Sequence, residues 1–534
     1  MVINKVIVEN YKCLPRFELE LNNDLNIIVG DNETGKSTLL EAINLALTGQ
    51  LNGRSIAYEI SPYLFNKSTV EKYVSDVRNR VNVEPPKILI ELYLENSPDL
   101  ARLKGINNSL REDVPGLLIL IQFDEEYREE YKSYIENPEE IRTVPTEYYE
   151  AKWYSFDNNP VRQVSLPIKT TLVDTSSVRL QNGTDYYIQK TIEDILEKKD
   201  RAGLSLTYRK LREAFSEEDS IKSINERLKE SRDIIVTKNL TVTIDISQRT
   251  NWEANLTSCL DEIPYQYIGK GDQNILKMIF ALQRKKAKES HVILIEEPEN
   301  HLSFSTMNKL VNMISDKCKE KQLIIATHSA FVLNKLGIEK MILLSDELKT
   351  MSLKDLSDDT QKYFKKLPGY DTLRLVLAKK SILVEGPSDE LFVQKAYLQK
   401  NGRLPINDGV DVISVKGLSA KRFLEIAKSL KKTVAVVTDN DGNPAKVKVK
   451  YKDYLSEDNI KICYDDADAE CKTLELQIAK YNDLKLLNRI FGSSYASKED
   501  LVGYMLDNKT ESALRLFETK ETITIPPYVE EAIQ

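Results

Sequence analysis

The octet Gly30-Asp31-Asn32-Glu33-Thr34-Gly35-Lys36-Ser37 directly follows the apolar run Leu25-Asn26-Ile27-Ile28-Val29. Its spacing, G-x-x-x-x-G-K-[ST], is that of a loop that cradles phosphate. Gly30 and Gly35 permit a tight turn through Asn32 whose backbone N–H groups point inward at an anion. Lys36 is placed to reach the β- and γ-phosphates, and Ser37 to ligate Mg²⁺. Thr38 opens a predicted helix running to about Thr48, and the positive end of that helix adds to phosphate binding. Strand, loop and helix come in the order the chemistry requires, so the chain is read as binding a nucleoside triphosphate, ATP.

Hydrolysis needs a second strand carrying an acid on the metal side and a base to position water. His291-Val292-Ile293-Leu294-Ile295 ends in Glu296-Glu297-Pro298-Glu299. Glu296 takes the metal side, one methylene longer than the usual Asp, and Glu297 is the base. His328, after the predicted strand Gln322–Ala326, suits a γ-phosphate sensor, because a neutral imidazole can hydrogen-bond a terminal phosphate. About 260 residues separate Lys36 from Glu296. That separation predicts a split ATPase head with a module inserted in it.

A second acidic set lies further on. Ser381-Ile382-Leu383-Val384 ends in Glu385-Gly386-Pro387-Ser388-Asp389, and Val434-Ala435-Val436-Val437-Thr438 ends in Asp439-Asn440-Asp441-Gly442. Acids at the carboxyl ends of parallel strands gather in the crevice where open α/β sheets place their sites. Glu385, Asp389, Asp439 and Asp441 are hard oxygen donors suited to Mg²⁺ or Mn²⁺. Metal-assisted phosphodiester chemistry is the reaction this implies.

The elements that must position these groups are those of a mixed α/β chain. Residues 2–30 alternate into short strands, and further strands are predicted over Lys87–Leu94, Leu117–Phe123 and Leu240–Ile246. Asp124–Glu150 reads as exposed connection plus edge strand. Asp185–Ile235 turns helical and charged, with the i, i+3, i+4 spacing of Tyr187-Ile188-Thr191-Ile192-Ile195-Leu196. It is the inserted module, a scaffold or a dimerisation surface. The polar stretch Leu353–Lys366 is the candidate linker.

With 534 residues the chain exceeds one core and is expected to hold two or three domains. The net charge of −8 means that nucleic acid must be met by a local basic surface. Lys416, Lys421, Arg422, Lys428, Lys431 and Lys432 offer one, with Lys446, Lys448, Lys450 and Lys452 pointing one way if that segment is extended. Five scattered cysteines and three histidines argue against a zinc site. No apolar run approaches membrane-spanning length and the start lacks a signal pattern, so a cytoplasmic protein is expected.

Gly30–Ser37, Glu296–Leu302 and Thr327-His328-Ser329 resemble the ATP-binding-cassette heads of chromosome-maintenance and recombination-mediator ATPases. There a signature loop of one subunit completes the other's nucleotide site. Gly269-Lys270-Gly271-Asp272-Gln273 is the match, departing from the pattern at Lys270 and Asp272. This implies Lys270 and Gly271 at the nucleotide of a partner head, and a homodimer or higher homo-oligomer. The hhhEGxxD and hhhhxDxDG patterns resemble the Toprim domain of topoisomerases, bacterial primases and certain nucleases. Head followed by Toprim resembles the overcoming-lysogenisation-defect (OLD) family of ATP-dependent nucleases over nearly the whole length. That resemblance adds Glu475, in Thr473-Leu474-Glu475, as a second-metal ligand. It also adds Lys509, in a K-x-x-x-A context ending at Ala513, to neutralise the scissile phosphate. The implied plan is an ATPase N-terminal part (1–175), a helical insertion for dimerisation (176–238), an ATPase C-terminal part (239–366) and a Toprim nuclease domain (367–534). The implied activity is metal-dependent cutting of DNA in defence against phage or mobile DNA, with a helicase or effector encoded nearby as a further candidate partner. The alternatives are a primase-like transferase on the same scaffold, and an ATP-driven sensor holding another effector.

Overall fold

The computed structural model describes residues 1–175, 180–181, 184–185, 196–230, 242, 259–345, 350–353, 356–367, 372–416 and 420–534. The helix read over Tyr187–Leu196 and the strand read over Leu240–Ile246 lie outside these residues, apart from Leu196 and Val242. The chain divides into two compact units, Met1–Asp24 with Ser37–Ile325, and Leu25–Lys36 with Ala326–Gln534.

In the first unit, period-two alternation builds an antiparallel sheet. Ile3–Tyr11 pairs with Leu14–Glu20 on one side (Val6 opposite Leu19) and with Ile88–Leu94 on the other (Val6 opposite Leu92). Val114–Phe123 and Tyr149–Ser155 extend it. Ile7, Leu89, Tyr93, Leu118 and Phe156 pack into one cluster. Gly116 is a glycine because Phe156 lies against it: a Cβ there would stand 2.1 Å from a ring carbon. Thr170–Asp174 runs parallel to Val292–Glu296, with Asp174 level with Glu296. The helix Lys36–Thr48 ends where the sequence predicts. In the insertion, the helices Lys198–Ser216 and Asp219–Glu230 are described. Leu204, Leu206, Leu211 and Phe215 on the first are exposed.

The segment Asp124–Glu150 is less exposed than its composition predicts. Arg128–Ile135 is a helix, and Tyr131 and Tyr149 are buried with Phe123 and Tyr73. Tyrosine supplies a large apolar ring behind its polar tip, and here the rings pack edge to face.

In the second unit, Leu25–Gly30 runs parallel to Met341–Leu344. A four-stranded parallel sheet follows, ordered Val410–Ser414, Lys380–Val384, Thr433–Val437, Ile460–Cys463. Successive residues of a strand face opposite ways. Leu383, Ile413, Val434 and Val436 therefore enter one core with Ile27, Val29 and Leu343. Ile382, Val384, Ala435 and Val437 enter another with Phe392, Leu501 and Val529.

Two expectations fail in this unit. The stretch read as a linker folds into the helix Asp358–Lys366, capped by Ser357. Thr360 and Phe364 (i, i+4) are fully buried on its inner face, with Leu356 beside them, and Glu425 accepts hydrogen bonds from Ser357 and Thr360. The lysines from Lys446 to Lys450 are on a helix, Pro444–Lys450, capped by Asn443 with proline in its first turn. At about 100° per residue, Lys448 turns away from the side shared by Lys446 and Lys450. No one-sided ridge exists. Among the described residues, no helix is long and apolar enough to cross a membrane.

Candidate functional site

The first unit holds several of the residues that the sequence assigns to nucleotide binding. Ser37, Thr38, Glu41, Asn44, Lys12, Asp174 and Glu296 line one pocket with the hairpin residues Gln50–Gly53. Burial holds the Glu296 carboxyl above the ordinary glutamate value. The Ser37 hydroxyl donates to it and opposes the rise, while Asp174, Glu297 and Glu41 add to it by charge repulsion. A site holding this much negative charge suits a divalent cation. Asp174 was not expected from sequence. It ends an apolar strand as Glu296 does, but no motif marks it. Glu41 accepts from the Tyr11 hydroxyl at 2.5 Å and pairs with Lys12.

Glu297 leaves the strand in the left-handed region (φ 43°). The Thr175 hydroxyl lies 2.7 Å from the carbonyl of Glu296 and 2.6 Å from that of Glu297. The Asn300 amide donates to the Glu297 carboxylate at 2.7 Å. Lys270 opens the helix Lys270–Gln283 and is exposed, and Gly271 follows it.

The second unit carries the loop itself. Gly30 is required there, since a Cβ would stand 2.6 Å from Thr34 Oγ1 and 2.7 Å from the Leu344 carbonyl. Glu33 (φ 67°) and Gly35 (φ 94°) make the left-handed steps that curl the chain past Asn32. Lys36 is buried and donates from Nζ to the carbonyls of Gly30 (3.0 Å) and Asp31 (2.7 Å). Its ammonium therefore stands at the mouth of the loop. Thr327 N–H donates to the Ile28 carbonyl, so exposed His328 follows a backbone step beside the strand that feeds the loop.

The carboxylate site lies wholly within the second unit. Glu385 accepts from Thr438 Oγ1, and Asp389 accepts from the Gly386 N–H at 2.9 Å, capping its helix. Burial pushes Asp439 up to about 8, with Asp389, Glu385 and Glu475 adding repulsion and Lys509 opposing it. Burial likewise raises Asp389 to about 6, against the Gly386 hydrogen bond, with Glu385 and Glu475 adding to the rise. Lys509, first residue of its helix, stands 3.5 Å from Glu475 Oε1. The structure thus brings Glu385, Asp389, Asp439, Glu475 and Lys509 into one electrostatic neighbourhood. Asp441 differs: it is exposed, at φ 49° in the turn closing on Gly442, and is not among the leading charges on Asp389 or Asp439. Asn440 points inward instead and donates to the carbonyls of Asp465 and Asp468. Tyr528, from the last helix, is buried beside this set, and the charges of Asp439 and Asp389 help burial raise its phenol. Neither Thr438 nor Tyr528 is expected from the sequence to take part; the first immediately precedes the D-x-D motif, and the second lies in the last helix.

These residues fit hard divalent ions. The donors are carboxylate oxygens, and Glu475 Oε2 is buried with no hydrogen-bond partner. Among the described residues, no three acidic, cysteine or histidine side chains stand close enough as they are to hold a metal ion, so the carboxylates would have to draw together around one.

The basic residues nearby are partly committed elsewhere. Lys428 pairs with Glu457 at 2.7 Å, and Arg422 donates to Thr360. Lys421, Lys431, Lys446, Lys448 and Lys452 remain exposed.

Models of two protein families match the chain. The model of the AAA ATPase domain matches residues 1–333, and that of the overcoming lysogenization defect protein-like TOPRIM domain matches residues 376–441. The chain belongs to the AAA ATPase domain family. With the TOPRIM domain behind the ATPase, it has the ATPase–Toprim architecture of the OLD family. Over 45 residues it is 53% identical to structural maintenance of chromosomes protein 6 of Saccharomyces cerevisiae, a match spanning 8% of this chain and 4% of that protein. It is 32% identical over 95 residues to DNA replication and repair protein RecF of Glaesserella parasuis, spanning 17% of this chain and 26% of that protein. The RecF protein of Pasteurella multocida is 30% identical over 77 residues, spanning 14% and 22%. The chain therefore spans about a quarter or less of each of these relatives. Among solved structures, an Smc head bound to the C-winged helix domain of ScpA is 13% identical with a TM-score of 0.34, covering 66% of this chain and 99% of that one. The SMC head domain from Thermotoga maritima is 14% identical with a TM-score of 0.28, covering 64% and 94%.

Proposed function

We propose that the chain is an ATP-regulated, divalent-metal-dependent DNA endonuclease, nicking or cutting both strands, that works as a homodimer in defence against phage or mobile DNA. The observation that carries this reading is the carboxylate set Glu385, Asp389, Asp439 and Glu475, with the buried, unpartnered Glu475 Oε2 among them, in a chain that also carries an ATPase domain. Relatives named for DNA replication and repair support a nucleic-acid substrate.

In the ATPase half, Gly30, Asn32, Gly35 and Lys36 hold the phosphates, and Ser37 with Glu296 takes the metal side. Thr38 begins the helix beneath, and Glu297 orients and deprotonates water. His328 senses the γ-phosphate, and Lys270 with Gly271 meets the nucleotide of a partner head. In the Toprim half, Glu385, Asp389, Asp439 and Glu475 would hold Mg²⁺ or Mn²⁺, while Asp441, turned outward, stays apart from them. Bound there, such ions supply an activated water and stabilise the leaving oxygen. Thr438 orients Glu385, the Gly386 N–H orients Asp389, and Lys509 offsets charge on the scissile phosphate. Exposed Lys421, Lys431 and Lys446 give a sequence-independent grip on the backbone.

The test is incubation of the purified protein with supercoiled plasmid and Mg²⁺ or Mn²⁺, with and without ATP. Metal-dependent relaxed or linear product is expected from the wild type and none from Asp389→Ala or Asp439→Ala. An inactive wild type, or full activity in Asp439→Ala, refutes the nuclease. Incorporation of labelled ribonucleotides would replace it with the transferase reading.

A further inference from the structure

The helix Lys270–Gln283 and the loop after Glu297 are joined by a chain of contacts that the proposed mechanism leaves unused. Asn274, 4% exposed on that helix, donates from Nδ2 to the Asn300 carbonyl at 2.6 Å. Asn300 in turn donates from Nδ2 to Glu297 Oε2 at 2.7 Å, and its backbone N–H donates to the Glu297 carbonyl at 3.1 Å. One residue thus holds Glu297 by both carboxylate and main chain while being held itself from the helix. The same loop meets the helix a second time. At Gly271 a Cβ would stand 2.8 Å from the His301 carbonyl, so backbone lies directly on backbone. The start of the helix is itself fixed, with Gln273 Nε2 donating to the carbonyls of Tyr265 (2.8 Å) and Ile268 (3.2 Å).

Asn274 holds the main-chain carbonyl of Asn300, and the Asn300 side chain reaches Glu297 across only two rotatable bonds, so the anchored backbone limits where its amide donor can lie. A carboxylate that must take a proton from water has several rotamers, and only some of them face the nucleotide. The Asn300 donor on Oε2 favours those that keep that hydrogen bond. Because Asn300 is anchored through Asn274, any displacement of the helix start would carry Asn300 with it and re-aim the carboxylate.

We infer that Asn300 is a positioning residue for Glu297, and that through Asn274 it makes the orientation of that carboxylate depend on the position of the helix Lys270–Gln283. The inference rests on Glu297 being the base for ATP hydrolysis.

Steady-state ATP hydrolysis by the full chain tests it, with nucleotide affinity measured separately by a fluorescent ATP analogue. Asn300→Asp is nearly isosteric, so the fold is kept, but it replaces the donor with a like-charged acceptor. It is expected to lower kcat about ten- to hundredfold, the usual cost of losing a partner that orients a functional group. KM and analogue affinity should stay within about threefold, because the phosphates are held by other residues. Asn300→Ala should fall in the same direction, and Asn274→Ala should lose less. The double variant Asn274→Ala/Asn300→Ala should be no worse than Asn300→Ala alone, since both act through one path. A kcat within twofold of wild type in Asn300→Asp, while Glu297→Gln is inactive, overturns the positioning role and leaves the base reading intact. Multiplicative losses in the double variant overturn the link to the helix. Turnover retained by Glu297→Gln removes the base reading itself, and this inference with it.

Discussion

Metal binding at the carboxylate set should expel a proton, and the amount follows from the site. Asp439 is raised to about 8 and Asp389 to about 6 by burial and by each other's neighbours. At pH 7 these values leave Asp439 about nine-tenths protonated and Asp389 about one-tenth, so the two hold about one proton between them. A divalent ion takes deprotonated carboxylates, so that proton must leave. Titrating the protein with Mn²⁺ by calorimetry at pH 7, in buffers of differing ionisation enthalpy, should return close to one proton released per site filled. At pH 9 the release should fall to about one-tenth, because Asp439 is then mostly ionised beforehand. Apparent affinity should weaken about tenfold per unit from pH 8 to pH 6, and more steeply below. Asp439→Asn, which removes the group holding the proton, should abolish most of the release at pH 7. Release below about 0.2 proton at pH 7, or an affinity flat from pH 6 to 8, would refute the electrostatic account of the site.

Other outcomes follow from the same geometry. Asp439 has a folded value above that of an unfolded aspartate, so its contribution to stability is full below about pH 4 and is lost as pH rises towards 8. Asp439→Asn should therefore stabilise the fold by about 0.5–2 kcal/mol at pH 8 and by less at pH 5, read as a rise in melting temperature that is larger at the higher pH, as seen when functional strain is relieved. Lys36→Ala should abolish ATP hydrolysis in a phosphate-release assay while the chain keeps its far-ultraviolet spectrum, because the ammonium bonds to the loop carbonyls of Gly30 and Asp31 rather than to a distant element of the core. Gly116→Ala should destabilise the first unit by about 1–3 kcal/mol in denaturant unfolding, since its methyl would overlap the Phe156 ring.

Most of each candidate site is written as contiguous motifs at strand ends, where side-chain type and backbone turn are specified together, whereas Glu475 and Lys509 come only from the family resemblance. Gly30 to Ser37, Glu296-Glu297, Glu385 to Asp389 and Asp439 needed no knowledge of packing. Asp174 was not legible, because a lone acid at a strand end acquires meaning only through its register with Glu296. Asp441 looked equivalent to Asp439, yet the left-handed turn sends it outward and Asn440 inward. The helix Asp358–Lys366 was hidden by polar composition, although Thr360 and Phe364 at i, i+4 were a weak sign of its inner face. The lysine series misled because side-chain direction was inferred from an assumed extended backbone. Asn443-Pro444, a cap followed by proline at the first helical position, was the signal against it.

Ile27 and Val29, the residues that lead into the phosphate loop, share a single apolar interior with Leu383, Ile413, Val434 and Val436 of the four-stranded sheet. Severing the chain near residue 366 would leave each piece with half a seam wetted by solvent. Fragments made to study ATP turnover or DNA scission alone should then precipitate or demand a partner. Whatever tugs on the strand that feeds the glycine-rich loop also leans on the apolar floor of the four-stranded sheet.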